Sequence, residues 1–151
     1  MIVEQQRPTI KILLVEDDDG HARLVERNLR KVNLSNPIDR VRDGVEALEY
    51  LHNQGAFSDR SRYSHPRLVL LDINMPRMDG IEVLERIKAD EHLRCLPVIM
   101  LTSTDNQSEI DRCYCAGANG YVAKPVNIAT LGEKLQRLGM FLEIVELPNA
   151  R

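Results

Sequence analysis

The sequence predicts an α/β fold in which five parallel strands, in the order 2-1-3-4-5, are flanked by five helices. Apolar runs alternate with segments whose apolar residues recur at helical spacing, which is typical of βαβ units. The first, third and fourth runs are apolar throughout, as strands covered on both faces are. The second and fifth runs are shorter and partly polar, so we place them at the edges. The doubly wound, flavodoxin-like order satisfies both conditions.

The elements follow one another along nearly the whole chain. The strands are expected at residues 10–15, 38–41, 68–73, 97–101 and 120–125. The helices are expected at about 20–32, 43–51, 79–87, 105–115 and 127–146. Capping residues support these limits, because Asp43 and Asp79 each precede a Glu by three positions, Gly117 suits a helix C-terminus, and Asn127 precedes the last helix. The polar segment at 53–66 exceeds the usual loop length, so we expect it to be mobile or functional.

Composition indicates one ordinary globular domain. The 151 residues are 43% hydrophobic and 28% charged, and we assign 1–151 to a single domain with its core at about 9–138 and an extended C-terminal helix and tail. A net charge of −3 without a basic stripe argues against nucleic acid. No apolar run reaches the roughly 20 residues that span a bilayer, and residues 1–7 lack a signal-peptide core, so we expect a cytoplasmic protein.

The three cysteines, Cys95, Cys113 and Cys115, do not form a disulfide framework, since their number is odd and no secretion signal precedes them. Cys113 and Cys115 could be half of a metal site. They fall in a predicted helix, where residues two apart do not face each other, so we favour reduced thiols.

Acidic side chains end two strands that the predicted order makes neighbours. Asp72 stands at the carboxyl end of the third strand, and Glu16 and Asp17 follow the first. Three carboxylates in one crevice repel unless a cation lies among them, and hard oxygen ligands suit Mg²⁺. We therefore predict a magnesium site at this edge of the sheet.

The ends of strands four and five add a hydroxyl and an ammonium group. Thr102 follows the fourth strand, and Lys124 ends the fifth, before Pro125. Each residue alone is more often a turn, a strand-end hydroxyl or a solvated charge. Together with Asp72 they form a carboxylate nucleophile, a hydroxyl donor and a fixed cation, which suit phosphoryl transfer to a carboxylate.

These residues lie in motifs that resemble the receiver domain of two-component response regulators, the CheY-like family. The motifs are LVEDD at 14–18, LDINMPRMDG at 71–80, LT at 101–102 and GANGYVAKP at 117–125. The resemblance implies that Asp72 accepts phosphate from a sensor histidine kinase. It also implies that Asp17, Asp72 and the backbone carbonyl of Asn74 bind Mg²⁺, with Glu16 acting through metal-bound water.

The same resemblance implies a conformational switch. Thr102 would bind a phosphoryl oxygen, Lys124 would pair with Asp72 or its phosphate, and Tyr121 would move inward, changing the surface of helix four, strand five and helix five. The alternative for Tyr121 is a packed edge-strand aromatic with its hydroxyl in water. Thr104 stands where CheY has an acidic residue, which leaves the phosphate lifetime open.

A narrower likeness is to single-domain regulators partnered with phytochromes. It rests on the run from His21 through Leu24 to Val25, on the 53–66 loop and on the apolar ending at 141–148. The sequence is thus expected to be a stand-alone phosphoacceptor switch, not an enzyme, that assists its own phosphorylation and dephosphorylation. A phytochrome-type kinase would be its partner.

Two other functions stay open. Phosphatases of related architecture form an aspartyl phosphate but need a second Asp two residues after the nucleophile for acid–base work, where this chain has Asn74. An unphosphorylated binding module is the other alternative, although the acceptor residues named above are intact.

The last helix carries more apolar residues than one domain core can cover. One stripe consists of Ile128, Leu131, Leu135, Leu138, Leu142 and Val145. A second edge consists of Phe141, Ile144 and Leu147. Exposed apolar patches of this kind mark interfaces, so we predict a homodimer built on helix four, strand five and helix five. The alternative is a tail folded back over its own domain.

The dimer prediction can be tested by a double substitution. Phe141→Glu with Ile144→Glu places charges on the second apolar edge and should give monomers, because buried unpaired charge opposes association. Light scattering measures the mass of the particle in solution. A doubly substituted protein with the same mass in solution as the unsubstituted protein would contradict the prediction.

Overall fold

The computed structural model describes residues 11–30, 36–103 and 106–139. Its strands are β1 (Ile12–Val15), β2 (Ile38–Val41), β3 (Leu68–Asp72), β4 (Val98–Thr102) and β5 (Gly120–Ala123). Its helices are α1 (Asp19–Arg30), α2 (Gly44–Leu51), α3 (Gly80–Ala89), α4 (Gln107–Cys115) and α5 (Ile128–Arg137). A 3₁₀ turn occupies Gly55–Phe57.

The strands form one parallel sheet in the order β2-β1-β3-β4-β5, which confirms the predicted fold class. Val15 at the end of β1 lies opposite Val41 and Leu71, and Thr102 at the end of β4 lies opposite Ala123. The carboxyl ends of the strands therefore meet along one edge, where ligands of open α/β sheets bind.

Two apolar cores cover the two faces of the sheet. Because successive side chains of a strand point to opposite faces, Leu13 and Val15 pack towards α2, α3 and α4, whereas Ile12 and Leu14 pack towards α1 and α5. β1, β3 and β4 are buried along their whole length, as predicted for central strands.

Capping interactions fix the starts of the helices. The side chain of Asp43 accepts a hydrogen bond from the Glu46 amide at 2.9 Å, and Asp79 accepts one from the Glu82 amide at 2.9 Å. Asn127 accepts hydrogen bonds from two amides at the start of α5. The three predicted N-caps are confirmed.

The C-terminal helix is shorter than predicted. α5 ends at Arg137 rather than near residue 146, with Leu138 as its C-cap, and Gly139 has a φ of +76°. A glycine in this left-handed conformation ends helices in the way that Gly117, with a φ of +107°, ends α4. An unbroken helix from 127 to 146 is therefore wrong, and residues 140–151 lie outside the described residues. β5 likewise ends at Ala123, before Lys124 and Pro125.

The long segment after α2 is held by aromatic packing. The ring centroid of Tyr50 lies 5.3 Å from that of Phe57 and 5.7 Å from that of Tyr63. The side-chain amide of Asn53 donates hydrogen bonds to the carbonyls of Phe57 and Tyr63 at 3.1 and 2.9 Å. Phe57 and Tyr63 thus connect a mostly polar loop to α2. This role was not predicted from the sequence.

The cysteines are free thiols, with Cys113 buried and Cys95 and Cys115 exposed, as expected. Among the described residues, no helix has the length and apolar character needed to cross a membrane.

A close backbone approach at the start of α3 gives a test of this fold. A Cβ added at Gly80 would lie 2.2 Å from the carbonyl oxygen of Asp72, whereas one at Gly132 has nothing within 4 Å. Gly80→Ala should lower the free energy of unfolding by about 3 kcal/mol, because the backbone it meets cannot move freely. Gly132→Ala should raise it by about 0.5 to 1 kcal/mol, because alanine is favoured inside helices.

Urea unfolding of the two variants measures both changes. Equal effects of the two substitutions would contradict the packing described at the end of β3.

Candidate functional site

Three carboxylates meet at the carboxyl edge of the sheet, as the strand order predicts. Glu16, Asp17 and Asp72 each offer an oxygen, and these oxygens lie within 4.8 Å of one another. Glu16 is fully buried and Asp72 is 4% exposed. Such a concentration of buried negative charge requires compensation by cations or by protons.

Lys124 supplies part of this compensation. Its ammonium nitrogen lies 2.8 Å from Oε1 of Glu16 and 3.1 Å from Oδ1 of Asp72. Burial favours the neutral amine, but the two carboxylates outweigh it, so the pKa of Lys124 is raised. The pairing with Asp72 was expected from the resemblance, whereas the shorter pairing with Glu16 was not.

The environment of Asp72 favours its protonated form. Burial is the main cause and the nearby charge of Glu16 the second. Against the opposing effect of Lys124, they raise the pKa of Asp72 from 3.8 to about 6. At neutral pH the carboxylate is therefore ionised but held in an unfavourable setting, which a further cation would relieve.

The turn between β1 and α1 is fixed from several sides. The Asp18 amide donates to Oε2 of Glu16 at 3.2 Å, and the Glu16 amide donates to the carbonyl of Val41 at 3.1 Å. Arg40 of β2 donates through Nε and Nη2 to the carbonyl of Glu16, at 2.9 and 2.7 Å. Neither Arg40 nor its contact with this turn was anticipated from the sequence.

The loop after Asp72 is shaped by an ion pair with α2. Arg77 has a φ of +66°, which is uncommon for a residue with a side chain. Its guanidinium donates to Oδ2 of Asp43, the N-cap of α2, at 3.1 and 2.5 Å. Asn74 lies in this loop and is exposed.

The remaining predicted residues lie on β4 and β5. Thr102 is fully buried, and its carbonyl accepts a hydrogen bond from the Lys124 amide at 2.8 Å. Tyr121 is partly buried; its ring centroid is 6.1 Å from that of Tyr114 and 4.9 Å from Nζ of Lys134. Tyr121 therefore lies on the surface formed by α4, β5 and α5, where the switch was predicted.

The donor set fits a divalent cation. Three carboxylates and one ammonium group, all ionised, carry a net charge of −2, since three negative charges face one positive charge. Carboxylate oxygens are the ligands that Mg²⁺ and Mn²⁺ accept most readily. Asp17 and Asp72 are the residues that would hold such an ion, with Glu16 beside them.

The chain belongs to the response regulator receiver domain family, whose model matches residues 12–136. The fold, the acidic cluster and the lysine at the end of β5 agree with this assignment, and the predicted family is confirmed.

Several similar proteins are response regulators, and two of those described next are named as bacteriophytochrome or phytochrome response regulators. Response regulator Rcp1 of Synechocystis is 36% identical over 97% of this chain and 99% of its own, and its Mn²⁺-bound structure aligns with a TM-score of 0.69 at 33% identity, over 95% and 98% of the two chains. The bacteriophytochrome response regulator AtBRR is 40% identical, with a TM-score of 0.81 over 89% of this chain and 96% of its own. The phosphorylated cyanobacterial phytochrome response regulator RcpA is 34% identical, with a TM-score of 0.74 over 90% and 99%.

The raised pKa of Asp72 predicts a pH dependence of stability. Between its unfolded value of 3.8 and about 6, the folded chain binds this proton more tightly than the unfolded chain. The contribution to stability is therefore full below pH 4 and is lost as the pH rises through 6. In metal-free buffer, Asp72→Asn should gain stability over wild type by an amount on the order of 2 kcal/mol between pH 4 and pH 7.

Urea unfolding at several pH values, with EDTA present, measures this difference. Parallel stability profiles of Asp72→Asn and wild type across that range would show that Asp72 has an ordinary pKa.

Proposed function

We propose that the chain is a response regulator of a His-to-Asp phosphorelay, which accepts a phosphoryl group on Asp72 from a sensor histidine kinase. The observation that carries the proposal is the setting of Asp72, which is 4% exposed and paired with Lys124 at 3.1 Å within a cluster of acidic groups. Asp72 shares the single ammonium group of Lys124 with Glu16, so its negative charge is compensated only in part.

The chemistry needs few groups. An oxygen of Asp72 forms a bond to phosphorus as the bond from phosphorus to the kinase imidazole nitrogen breaks, and the freed imidazole takes up a proton. Lys124 balances negative charge on the phosphoryl oxygens, and the hydroxyl of Thr102 donates a hydrogen bond to one of them. A divalent cation bound by Asp17, Asp72 and the carbonyl of Asn74, with Glu16 acting through water, would neutralise further charge.

Phosphorylation would act on the surface formed by α4, β5 and α5. It adds about 1.5 to 2 negative charges beside Lys124. The hydroxyl of Thr102, at the end of β4, then moves towards the phosphoryl group and donates a hydrogen bond to it. Tyr121 then moves inward from its place beside Tyr114 and Lys134. A homodimer on this surface is part of the proposal, supported by the 45% exposure of Tyr114; Phe141 and Ile144 lie outside the described residues.

The proposed kinase is a sensor histidine kinase of the phytochrome type, and this chain is proposed to act in the cytoplasm. The support is the similarity to the bacteriophytochrome response regulator AtBRR and to the phytochrome response regulator RcpA, which was crystallised in its phosphorylated form. The signal would then pass to a downstream protein through the switched surface.

Acetyl phosphate tests the acceptor role without a kinase. Incubated with Mg²⁺ and acetyl phosphate, wild type should gain the mass of one phosphoryl group, labile in base, and Asp72→Asn should not. Asp111→Asn is a matched control, because Asp111 lies exposed on α4 and should leave the adduct intact. Intact-mass spectrometry measures the result.

The three candidate functions give different outcomes. An adduct that persists in Asp72→Asn would contradict Asp72 as acceptor, no adduct in wild type would favour a binding module, and turnover of varied phosphate esters would favour an enzyme.

A further inference from the structure

We propose that Arg40 is a positioning residue that holds the turn carrying Glu16 and Asp17 in the geometry needed for metal binding. This inference rests on the proposed metal-dependent function and names a residue that the family motifs quoted above do not contain. Arg40 lies on the edge strand β2, opposite Leu14 of β1, and its side chain is 19% exposed.

The contacts of Arg40 join two points of one turn. Nε and Nη2 donate to the same carbonyl oxygen of Glu16, at 2.9 and 2.7 Å, and Nη1 donates to Oδ1 of Asp19 at 2.7 Å. Asp17 lies between these two anchors in the chain. A planar guanidinium makes this set of contacts, whereas the single ammonium of lysine cannot occupy all three places.

Glu16 is thereby held at both ends. Arg40 fixes its carbonyl, while Lys124 pairs with Oε1 at 2.8 Å and the Asp18 amide donates to Oε2 at 3.2 Å. With Glu16 fixed, the backbone that leads into Asp17 has little freedom. Groups that hold metal ligands from behind contribute to metal affinity by reducing the reorganisation that binding requires.

If Arg40 acted only through its charge, its removal would change the metal affinity in the opposite direction. Arg40 is a cation near an acidic cluster, so removing its charge would strengthen the binding of a divalent cation if charge alone mattered. If positioning dominates, the same removal weakens binding. The direction of the change therefore separates the two roles.

Arg42 offers a matched control two residues along the same segment. Its Nη2 donates to the same Oδ1 of Asp19 at 2.9 Å, but its side chain is 55% exposed and, within the described part of the chain, it donates no hydrogen bond to the Glu16 carbonyl. Substitutions of Arg42 thus alter a second guanidinium that pairs with Asp19. They leave the hydrogen bonds to the Glu16 carbonyl in place.

The experiment compares Mn²⁺ binding by the full chain and four variants, using the electron paramagnetic resonance signal of free Mn²⁺. Arg40→Lys and Arg40→Ala should each raise the Kd about tenfold or more, as loss of a group supporting metal ligands does. Arg42→Lys and Arg42→Ala should stay within about twofold of wild type, as exposed ion pairs contribute little. Hydrogen exchange of the Asp18 amide should quicken in the Arg40 variants only.

The remaining outcomes overturn the inference in distinguishable ways. Tighter Mn²⁺ binding by Arg40→Ala would assign Arg40 a charge effect alone, and equal Kd values for the Arg40 and Arg42 variants would remove its special role. An Arg40→Lys chain without a cooperative urea transition would make Arg40 a folding residue instead. Failure of wild type to bind Mn²⁺ would overturn the proposed function itself.

Discussion

The site depends on the ion pair that Lys124 forms with two carboxylates. Its ammonium lies between Glu16 and Asp72, at 2.8 and 3.1 Å, and allows acidic groups from two strands to be buried together. One ammonium is not enough for three carboxylates, so the cluster keeps a net negative charge that a divalent cation would balance. Burial is the main cause of the raised pKa of Asp72, and the charge of Glu16, which Lys124 offsets only in part, adds to it.

The fold maintains this arrangement through rigid contacts around the strand ends. The parallel register brings the ends of β1, β3 and β4 together, and Gly80 lets α3 begin against the backbone of Asp72. Arg77 fixes the loop after Asp72 through Asp43, and Arg40 fixes the turn after β1 through Glu16. Residues of β2, of the start of α2 and of the start of α3 thus support a few reacting groups.

The central strands could be predicted from the sequence because unbroken apolar runs indicate strands that are covered on both faces. The acidic cluster could be predicted because carboxylates end two of these strands, and the carboxyl ends of parallel strands meet at one edge of the sheet. The residues that the prediction missed act through long side chains. The contact of Arg40 with the Glu16 carbonyl depends on how far a guanidinium group reaches, and the ion pair of Lys124 with Glu16 depends on how far an ammonium group reaches. Strand order alone gives neither distance. The end of α5 was missed because its apolar stripe continues past Gly139, whose positive φ ends the helix.

The central claim is that Asp72 receives the phosphoryl group of a histidine kinase, and the most direct test is phosphotransfer from radiolabelled, purified kinases of the host. The account predicts that label moves from a phytochrome-type kinase to the wild-type chain when Mg²⁺ is present, and that none moves to Asp72→Asn. Label that stays on every histidine kinase, or that moves equally to Asp72→Asn, would contradict it. Label accepted from a kinase of another class would contradict the phytochrome partner alone.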